Sequence, residues 1–301
     1  MAGSLVPGIV LAVGGGLAAV RTETGEERVA KLAGRLDRRP VAGDRVGLLL
    51  EEGDGGARID VIEDRATELR RQQRMRSEGE RAMKEQVLAA NAECVLIVAA
   101  IADPLLRRGL IDRILVAGWR GGMTPLLAIT KRDLADRAVE PPEQVLADYA
   151  LIGVEGVCVD VRTPAGAQAV RALLAGRTAA VVGHSGVGKS TLVNALTGGG
   201  QATGAVHELS GRGRHTTTTA TWLDTPDGGA LIDLPGIRSF SLAGIEPADL
   251  RHAFADVAEA AERCRFRDCR HVGEDDCAVA EEVDPARLAS YRKLLAELEE
   301  G

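Results

Sequence analysis

AAVVGHSGVGKST, residues 179–191, is the stretch that decides the fold of this chain. A short apolar run leads into a Gly-rich loop, and helix-forming residues follow directly. The fixed positions of the pattern G-x-x-x-x-G-K-[ST], whose backbone N–H groups cradle phosphates, are filled by Gly183, Gly188, Lys189 and Ser190. Glycine lets the backbone approach a polyanion closely, and the N-terminus of the following helix favours negative charge. The stretch therefore predicts a site for a nucleoside triphosphate.

The loop itself supplies most of the predicted phosphate contacts. Lys189 offers a cation to the phosphates and is a predicted catalytic residue, and Ser190 offers a hydroxyl to Mg²⁺. The residues expected to line the nucleotide here are Gly183, His184, Ser185, Gly186, Val187, Gly188, Lys189, Ser190 and Thr191.

Composition limits what the rest of the chain can be. Its 301 residues are enough for two or three domains, and the 45% share of apolar residues is enough for their cores. The net charge of -7 restricts any contact with nucleic acid to local basic patches. The apolar N-terminus lacks a basic region and is interrupted by Pro7 and by Gly14, and no run is long enough to span a membrane. We expect a cytoplasmic protein without membrane contact, and we take a monomer as the working expectation.

Residues 1–71 predict a small β-barrel. Short apolar segments alternate with turn residues, at 9–12, 17–20, 28–32, 45–50 and 57–62. Five strands at this spacing are typical of the oligonucleotide-binding (OB) fold. Because the segment contains no aromatic residue, any RNA contact there would depend on charge and shape rather than on base stacking.

Residues 65–84 are polar and rich in arginine. Two interpretations remain open: a strip that contacts phosphates, or a solvated linker or helix between domains. We place the interdomain linker at residues 72–88.

From residue 89 to residue 244, apolar strands alternate with helices, which predicts an α/β domain built on a mostly parallel, doubly wound sheet. The strand 125–129 is followed directly by Thr130, Lys131, Arg132 and Asp133. In P-loop GTPases an Asn-Lys-x-Asp tetrad at the end of a strand recognises guanine, because its aspartate accepts hydrogen bonds from N1–H and from the exocyclic amine. We expect these four residues to contact the base.

A second nucleotide motif lies downstream of the phosphate loop. Asp233 begins the sequence Asp-Leu-Pro-Gly, which ends at Gly236 and matches the D-x-x-G element that senses Mg²⁺ and the γ-phosphate. No second base-recognition tetrad follows it. The tetrad precedes the phosphate loop instead, so the motif order predicts a circularly permuted GTPase, whose γ-phosphate sensor leads straight into the last domain.

Residues 211–219, between these two motifs, are predicted to form a mobile switch. Thr217 or Thr218 is expected to complete the Mg²⁺ shell, together with Ser190 and Asp233. Many GTPases orient the attacking water with a glutamine after D-x-x-G, but Ile237 stands here and offers no hydrogen bond. We therefore expect slow intrinsic hydrolysis and take His215, or a group supplied by a partner, as the residue that orients the water.

The region 245–301 is predicted to be a helical zinc-binding domain. Its cysteines and a histidine follow the pattern Cys-x4-Cys-x-His-x5-Cys, and the ligands are Cys264, Cys269, His271 and Cys277. Three thiolates and one imidazole form a closed tetrahedral set, so we expect one structural Zn²⁺.

These motifs together closely resemble the RsgA/YjeQ family of bacterial, circularly permuted GTPases. The resemblance covers nearly the whole chain and implies that the OB and zinc domains contact the small ribosomal subunit and its rRNA. It also implies slow GTP hydrolysis that the subunit accelerates, during late subunit maturation. Two departures bear on guanine binding: Thr130 replaces the usual Asn, which removes an amide that ties the tetrad to the phosphate loop, and residues 157–161 replace the usual second base contact.

Two other functions remain open at this point. In one, the chain is a P-loop ATPase or kinase, and the tetrad is an incidental turn. In the other, it is a nucleotide-gated assembly scaffold whose turnover is incidental.

Overall fold

The computed structural model describes residues 5–50, 56–74, 83–199, 204–212, 220–235 and 246–299. The strands within these ranges are β1 Val6–Gly14, β2 Leu17–Thr22, β3 Glu27–Leu32, β4 Arg45–Leu50, β5 Ala57–Ile62, β6 Glu68–Arg74, β7 Met83–Ala90, β8 Cys94–Ala100, β9 Thr124–Thr130, β10 Glu155–Cys158, β11 Thr178–Gly183, β12 Thr221–Asp224 and β13 Ala230–Asp233. The helices are α1 Arg108–Arg120, α2 Pro142–Ala150, α3 Pro164–Leu174, α4 Lys189–Leu196, α5 Gly204–Arg212, α6 Leu250–Ala253, α7 Ala255–Ala261, α8 Ala278–Glu282 and α9 Pro285–Glu299. In these ranges no helix combines the length and the hydropathy that crossing a bilayer requires.

Strands β1 to β5 close into a barrel. β1 pairs antiparallel with both β2 and β4, β2 pairs with β3, and β3 runs parallel to β5, which returns to β4. Aliphatic side chains fill the interior, and Val10, Val20 and Leu48 are fully buried. At Gly8 a Cβ atom would lie 2.9 Å from the carbonyl oxygen of Arg21, so only glycine fits this close strand approach. The predicted OB-type barrel is confirmed.

The sequence left open whether the arginine-rich segment is a phosphate-contacting strip or a linker or helix, and its described residues form two strands. β6 and β7 pair antiparallel as a two-stranded sheet. Polar side chains pair across the strands, since Arg70 Nη1 lies 2.6 Å from Glu85 Oε2 and Arg71 donates to Gln86. Leu69 is fully buried against the α/β core. Alternation of buried and paired side chains therefore favours a hairpin in part of the predicted linker 72–88.

The central sheet confirms the predicted mostly parallel α/β architecture. Its strand order is β10-β9-β8-β11-β13-β12, in which the first five strands are parallel and β12 is antiparallel. All seven residues of β8 are buried, as expected for a strand covered by helices on both faces. The carboxyl ends of β9, β10, β11 and β13 meet at one edge of the sheet, which is where parallel α/β sheets bind ligands.

The barrel is attached to the edge of this sheet next to the predicted γ-phosphate sensor. β12 pairs with β1 through Thr221 and Ala12. Arg21 of the barrel holds Asp224 of β12 in a bidentate ion pair, with contacts of 2.6 and 2.9 Å. This hydrogen bonding lowers the pKa of the Asp224 carboxyl. The barrel thus contacts the strand that lies between the predicted switch and Asp233.

The C-terminal helices form a small core to which Val116 of α1 also contributes. A 3₁₀ turn at Pro247–Asp249 leads into α6, and α7 is a separate helix because Phe254 leaves the helical conformation at φ -128° and ψ 56°. A buried ion pair joins this core to α1: Arg287 Nη1 lies 3.2 Å from Asp112 Oδ1. Burial raises the pKa of Asp112, and the Tyr149 hydroxyl donates to it at 2.9 Å. The C-terminal helices and the α/β domain therefore share a charged contact.

Candidate functional site

The phosphate loop has the conformation that the sequence predicts. β11 ends at Gly183, a tight loop follows, and α4 begins at Lys189. Gly186 and Gly188 have φ values of +82° and +89°, in the left-handed region where glycine is favoured. A Cβ atom at Gly183 would lie 2.7 Å from the carbonyl oxygen of Val98. Three of the glycines are therefore required by the local backbone.

Lys189 and Asp233 meet at the end of this loop. The Lys189 side chain is 9% exposed, and its Nζ donates to Asp233 Oδ1 at the end of β13. Ser190, the next residue of α4, is exposed. The predicted phosphate-binding cation and the predicted Mg²⁺ carboxylate thus come together from motifs that are 44 residues apart.

Thr130 connects the base-recognition tetrad to the phosphate loop. Its side chain is fully buried at the end of β9, and its hydroxyl lies within hydrogen-bond distance of the Val187 carbonyl in the loop and of the Ala99 carbonyl at 3.2 Å. The sequence suggested that losing asparagine here removes the connection. The hydroxyl supplies a connection instead, because a short β-branched side chain at this position can reach the carbonyl of Val187.

This contact gives a first testable prediction. Thr130→Ala should lower the free energy of unfolding by about 1 to 3 kcal/mol, since a buried carbonyl loses its donor. Thr130→Ser is the matched control because it keeps the hydroxyl, and urea denaturation would compare the two. Equal stability of the Ala and Ser variants would show that the hydroxyl makes no contribution.

The remaining tetrad residues lie on the same edge of the sheet. Lys131 has a φ of +60°, and its Nζ donates to the carbonyl oxygen of Asp103 in the loop after β8. Arg132 pairs with Glu143 of α2 at 3.0 Å. The Asp133 carboxylate is 35% exposed and accessible to a base.

Several predicted site residues lie outside the described part of the chain. They are Gly236, His215, Thr217 and Thr218, together with Ile237. The structure therefore brings together the tetrad, the phosphate loop and Asp233, and the predicted switch contacts stay predictions.

The predicted metal ligands form one cluster. The donor atoms of Cys264, Cys269, His271 and Cys277 all lie within 4.8 Å of one another. His271 Nδ1 lies 3.6 Å from Cys264 Sγ and 3.5 Å from Cys277 Sγ. Ligand atoms around a tetrahedral zinc are separated by about 3 to 4 Å, given Zn–S bonds of about 2.3 Å. Three sulfurs and an imidazole at these separations fit a closed structural metal site.

Glu274 orders the loop that carries these ligands. Its carboxylate accepts hydrogen bonds from the backbone N–H groups of Arg270 and Val272, both at 2.8 Å. These bonds to the charged form lower the pKa of Glu274 to about 2. The loop geometry around His271, whose φ is +60°, is thereby fixed by a charge that persists at neutral pH.

One contact at the base site was not predicted from the sequence. Arg162, in the loop between β10 and α3, places Nη2 at 2.8 Å from Asp133 Oδ2 and at 2.8 Å from Asp160 Oδ2. The sequence does carry a signal for this contact, namely the Asp-x-Arg spacing directly after strand β10. The sequence departs from the usual second base contact at the same place.

Taken together, the strand order, the phosphate loop and the tetrad define a P-loop nucleotide-binding protein with a circularly permuted motif order. Comparison with known proteins agrees: the chain belongs to the RsgA GTPase family, whose sequence profile matches residues 62–243.

Relatives and solved structures extend this result. A protein named small ribosomal subunit biogenesis GTPase RsgA from Azotobacter vinelandii is 43% identical over 221 residues, covering 71% of this chain and 64% of the relative. The relative of the same name from Pseudomonas syringae pv. syringae is 39% identical over 267 residues, covering 86% and 75%. The chain thus spans less than two thirds of the first of these relatives.

Among solved structures, the crystal structure of YjeQ from Thermotoga maritima superimposes with a TM-score of 0.72 at 26% identity, covering 98% of this chain and 99% of the other. YloQ, whose structure is described as that of a circularly permuted GTPase, gives a TM-score of 0.70 at 24% identity, covering 98% and 96%. Both likenesses extend over the barrel, the sheet and the C-terminal helices.

Proposed function

We propose that this chain is a cytoplasmic, monomeric GTP hydrolase that binds the small ribosomal subunit and assists its late maturation. The observation that carries the proposal is the position of the tetrad. Thr130 and Asp133 come before the phosphate loop in sequence, yet Thr130 contacts that loop through Val187. A carboxylate for guanine and a loop for phosphates are therefore held at a fixed separation.

In the proposed reaction, water attacks the γ-phosphate and GDP leaves with phosphate. The loop N–H groups and Lys189 hold the phosphates, so that the reacting groups are aligned and the developing charge is stabilised. Ser190 and Asp233 would hold Mg²⁺ together with Thr217 or Thr218, and the ion would neutralise charge on the phosphates. His215, or a group that the ribosomal subunit supplies, orients the water.

The metal cluster is proposed to hold one structural Zn²⁺. Four protein ligands would leave no open position for a substrate, so the ion would stabilise the fold and would take no part in hydrolysis. Two observations support a zinc ion at this cluster. The donor set is three thiolates and one imidazole, and the four ligand atoms all lie within 4.8 Å of one another.

The ribosomal partner is proposed from the family and from the names of the relatives. The absence of aromatic residues in the barrel means that its rRNA contacts are made by charge and shape. The barrel's attachment to β12 gives such contacts a direct connection to the strand beside the switch.

Displacement of a fluorescent GDP analogue by GTP and by ATP tests the nucleotide class. We expect displacement by GTP in the presence of Mg²⁺ and none by ATP at the same concentration. Lys189→Ala should weaken GTP binding, and Lys293→Ala on α9 serves as a control at an exposed lysine.

Equal displacement by ATP would favour the ATPase or kinase interpretation. Full maturation activity of Lys189→Ala would favour the scaffold interpretation.

A further inference from the structure

Arg162 is held in place by the carboxylate two residues before it. The Arg162 Nε donates to Asp160 Oδ1 at 2.9 Å, and Nη2 donates to Asp160 Oδ2 at 2.8 Å. The backbone N–H of Arg162 also donates to Asp160 Oδ1, at 3.0 Å. A bidentate pair of this kind fixes the plane of the guanidinium, although the side chain is 63% exposed.

The same guanidinium nitrogen reaches the base-site carboxylate. Arg162 Nη2 lies 2.8 Å from Asp133 Oδ2, so two carboxylates lie side by side around one cation. Two adjacent carboxylates without a cation repel each other, which either protonates one or drives them apart. The hydrogen bonds from Arg162 lower the pKa of Asp160.

This arrangement is compatible with a bound guanine. In its proposed role Asp133 accepts two hydrogen bonds from the base, and a carboxylate has about four lone-pair positions. Arg162 uses one position on Oδ2, so both oxygens keep a free position for the base. The adjoining residue Val161 is 6% exposed and lies against the phosphate loop, since a Cβ atom at Gly188 would be 3.9 Å from its Cγ2.

We propose that Arg162 is a positioning residue for guanine selectivity. By bridging Asp160 and Asp133, it holds the Asp133 carboxylate in the orientation that faces both donors of guanine. The inference rests on the proposed function, because it assigns a role to Arg162 only if Asp133 recognises guanine.

The test compares the affinities for GDP and for inosine diphosphate, which lacks the exocyclic amine. Arg162→Ala should weaken GDP binding by about tenfold, as expected when one charge-assisted hydrogen bond is misplaced, and should weaken inosine diphosphate binding less. The ratio of the affinity for GDP to the affinity for inosine diphosphate should therefore fall. Arg162→Lys should restore part of that ratio. Adding Asp160→Asn to Arg162→Ala should also restore part of it, because the repulsion is removed.

Arg263→Ala is the control, since Arg263 makes a comparable exposed ion pair with Glu282 in the C-terminal region. It should leave both affinities unchanged. An unchanged ratio in Arg162→Ala, at an unchanged urea midpoint, would overturn the positioning role, and tighter GDP binding would overturn it as well. If the wild-type chain does not prefer GDP to ADP, the proposed function fails instead.

Discussion

Asp133→Asn is expected to change the base preference of the site from guanine to xanthine. The Asp133 carboxylate offers an acceptor to both N1–H and the exocyclic amine of guanine, whereas an amide offers one acceptor and one donor. The donor then faces the guanine amine, but it matches the 2-oxo group of xanthine. GDP binding should weaken by about tenfold to a hundredfold, the cost of leaving one buried donor unpaired.

Competition between GDP and xanthosine diphosphate for a fluorescent nucleotide measures this change. Asp136→Asn is a matched control, because Asp136 is an exposed aspartate in the same 3₁₀ turn, Arg132–Arg137. It should leave the preference for GDP intact. Unchanged GDP affinity in Asp133→Asn would refute the assignment of Asp133 to the base.

Cys269→Ser is expected to abolish zinc binding and to unfold the C-terminal helices. Serine is nearly isosteric with cysteine but is a poor zinc ligand. Structural zinc contributes about 10 to 16 kcal/mol of apparent binding free energy in small zinc domains, which is more than the stability of most domains. The core of α6 to α9 is small, and Val257, Val279 and Leu294 are among the few side chains that fill it.

Metal content and hydrogen exchange together measure this effect. The wild-type chain should carry one equivalent of zinc, and Cys269→Ser should carry none and lose protection in α7 to α9. Cys158→Ser is the control, because Cys158 is a cysteine outside the cluster, at the end of β10. Retention of both zinc and protection by Cys269→Ser would exclude Cys269 as a ligand.

Features that depend on short stretches of sequence could be predicted. The phosphate loop is specified by its own glycines, whose φ values and close contacts leave little choice of residue. The metal cluster is specified by ligand spacing within fourteen residues, and the barrel strands by apolar segments between turns. In each case local chemistry alone determines local structure.

Features that depend on packing between distant segments could not be predicted. Arg287 and Asp112 are 175 residues apart, and nothing in either local sequence indicates a buried pair. The same holds for Arg21 and Asp224, which join the barrel to β12 across 203 residues. The break between α6 and α7 at Phe254 also follows from packing, because Phe254 is fully buried and the guanidinium of Arg287 lies 3.8 Å from the centre of its ring.

Thr130 shows the limit of comparing single residues. When only the two side chains are compared, replacing asparagine with threonine removes the amide that would connect the tetrad to the phosphate loop. The strand end places its hydroxyl against the Val187 carbonyl, which keeps the tetrad and the phosphate loop connected. Whether a substitution preserves a contact depends on the distance to be spanned, which only the folded chain defines.

The most direct test of the central claim is nucleotide hydrolysis by the purified chain, with GTP and with ATP, in the presence and absence of small ribosomal subunits. We predict slow hydrolysis of GTP by the chain alone. Added subunits should accelerate it on the order of a hundredfold or more, as partners that complete a phosphoryl-transfer site do. ATP should not be hydrolysed, and Lys189→Ala should abolish the stimulation. A GTP hydrolysis rate that small subunits leave unchanged would contradict the account.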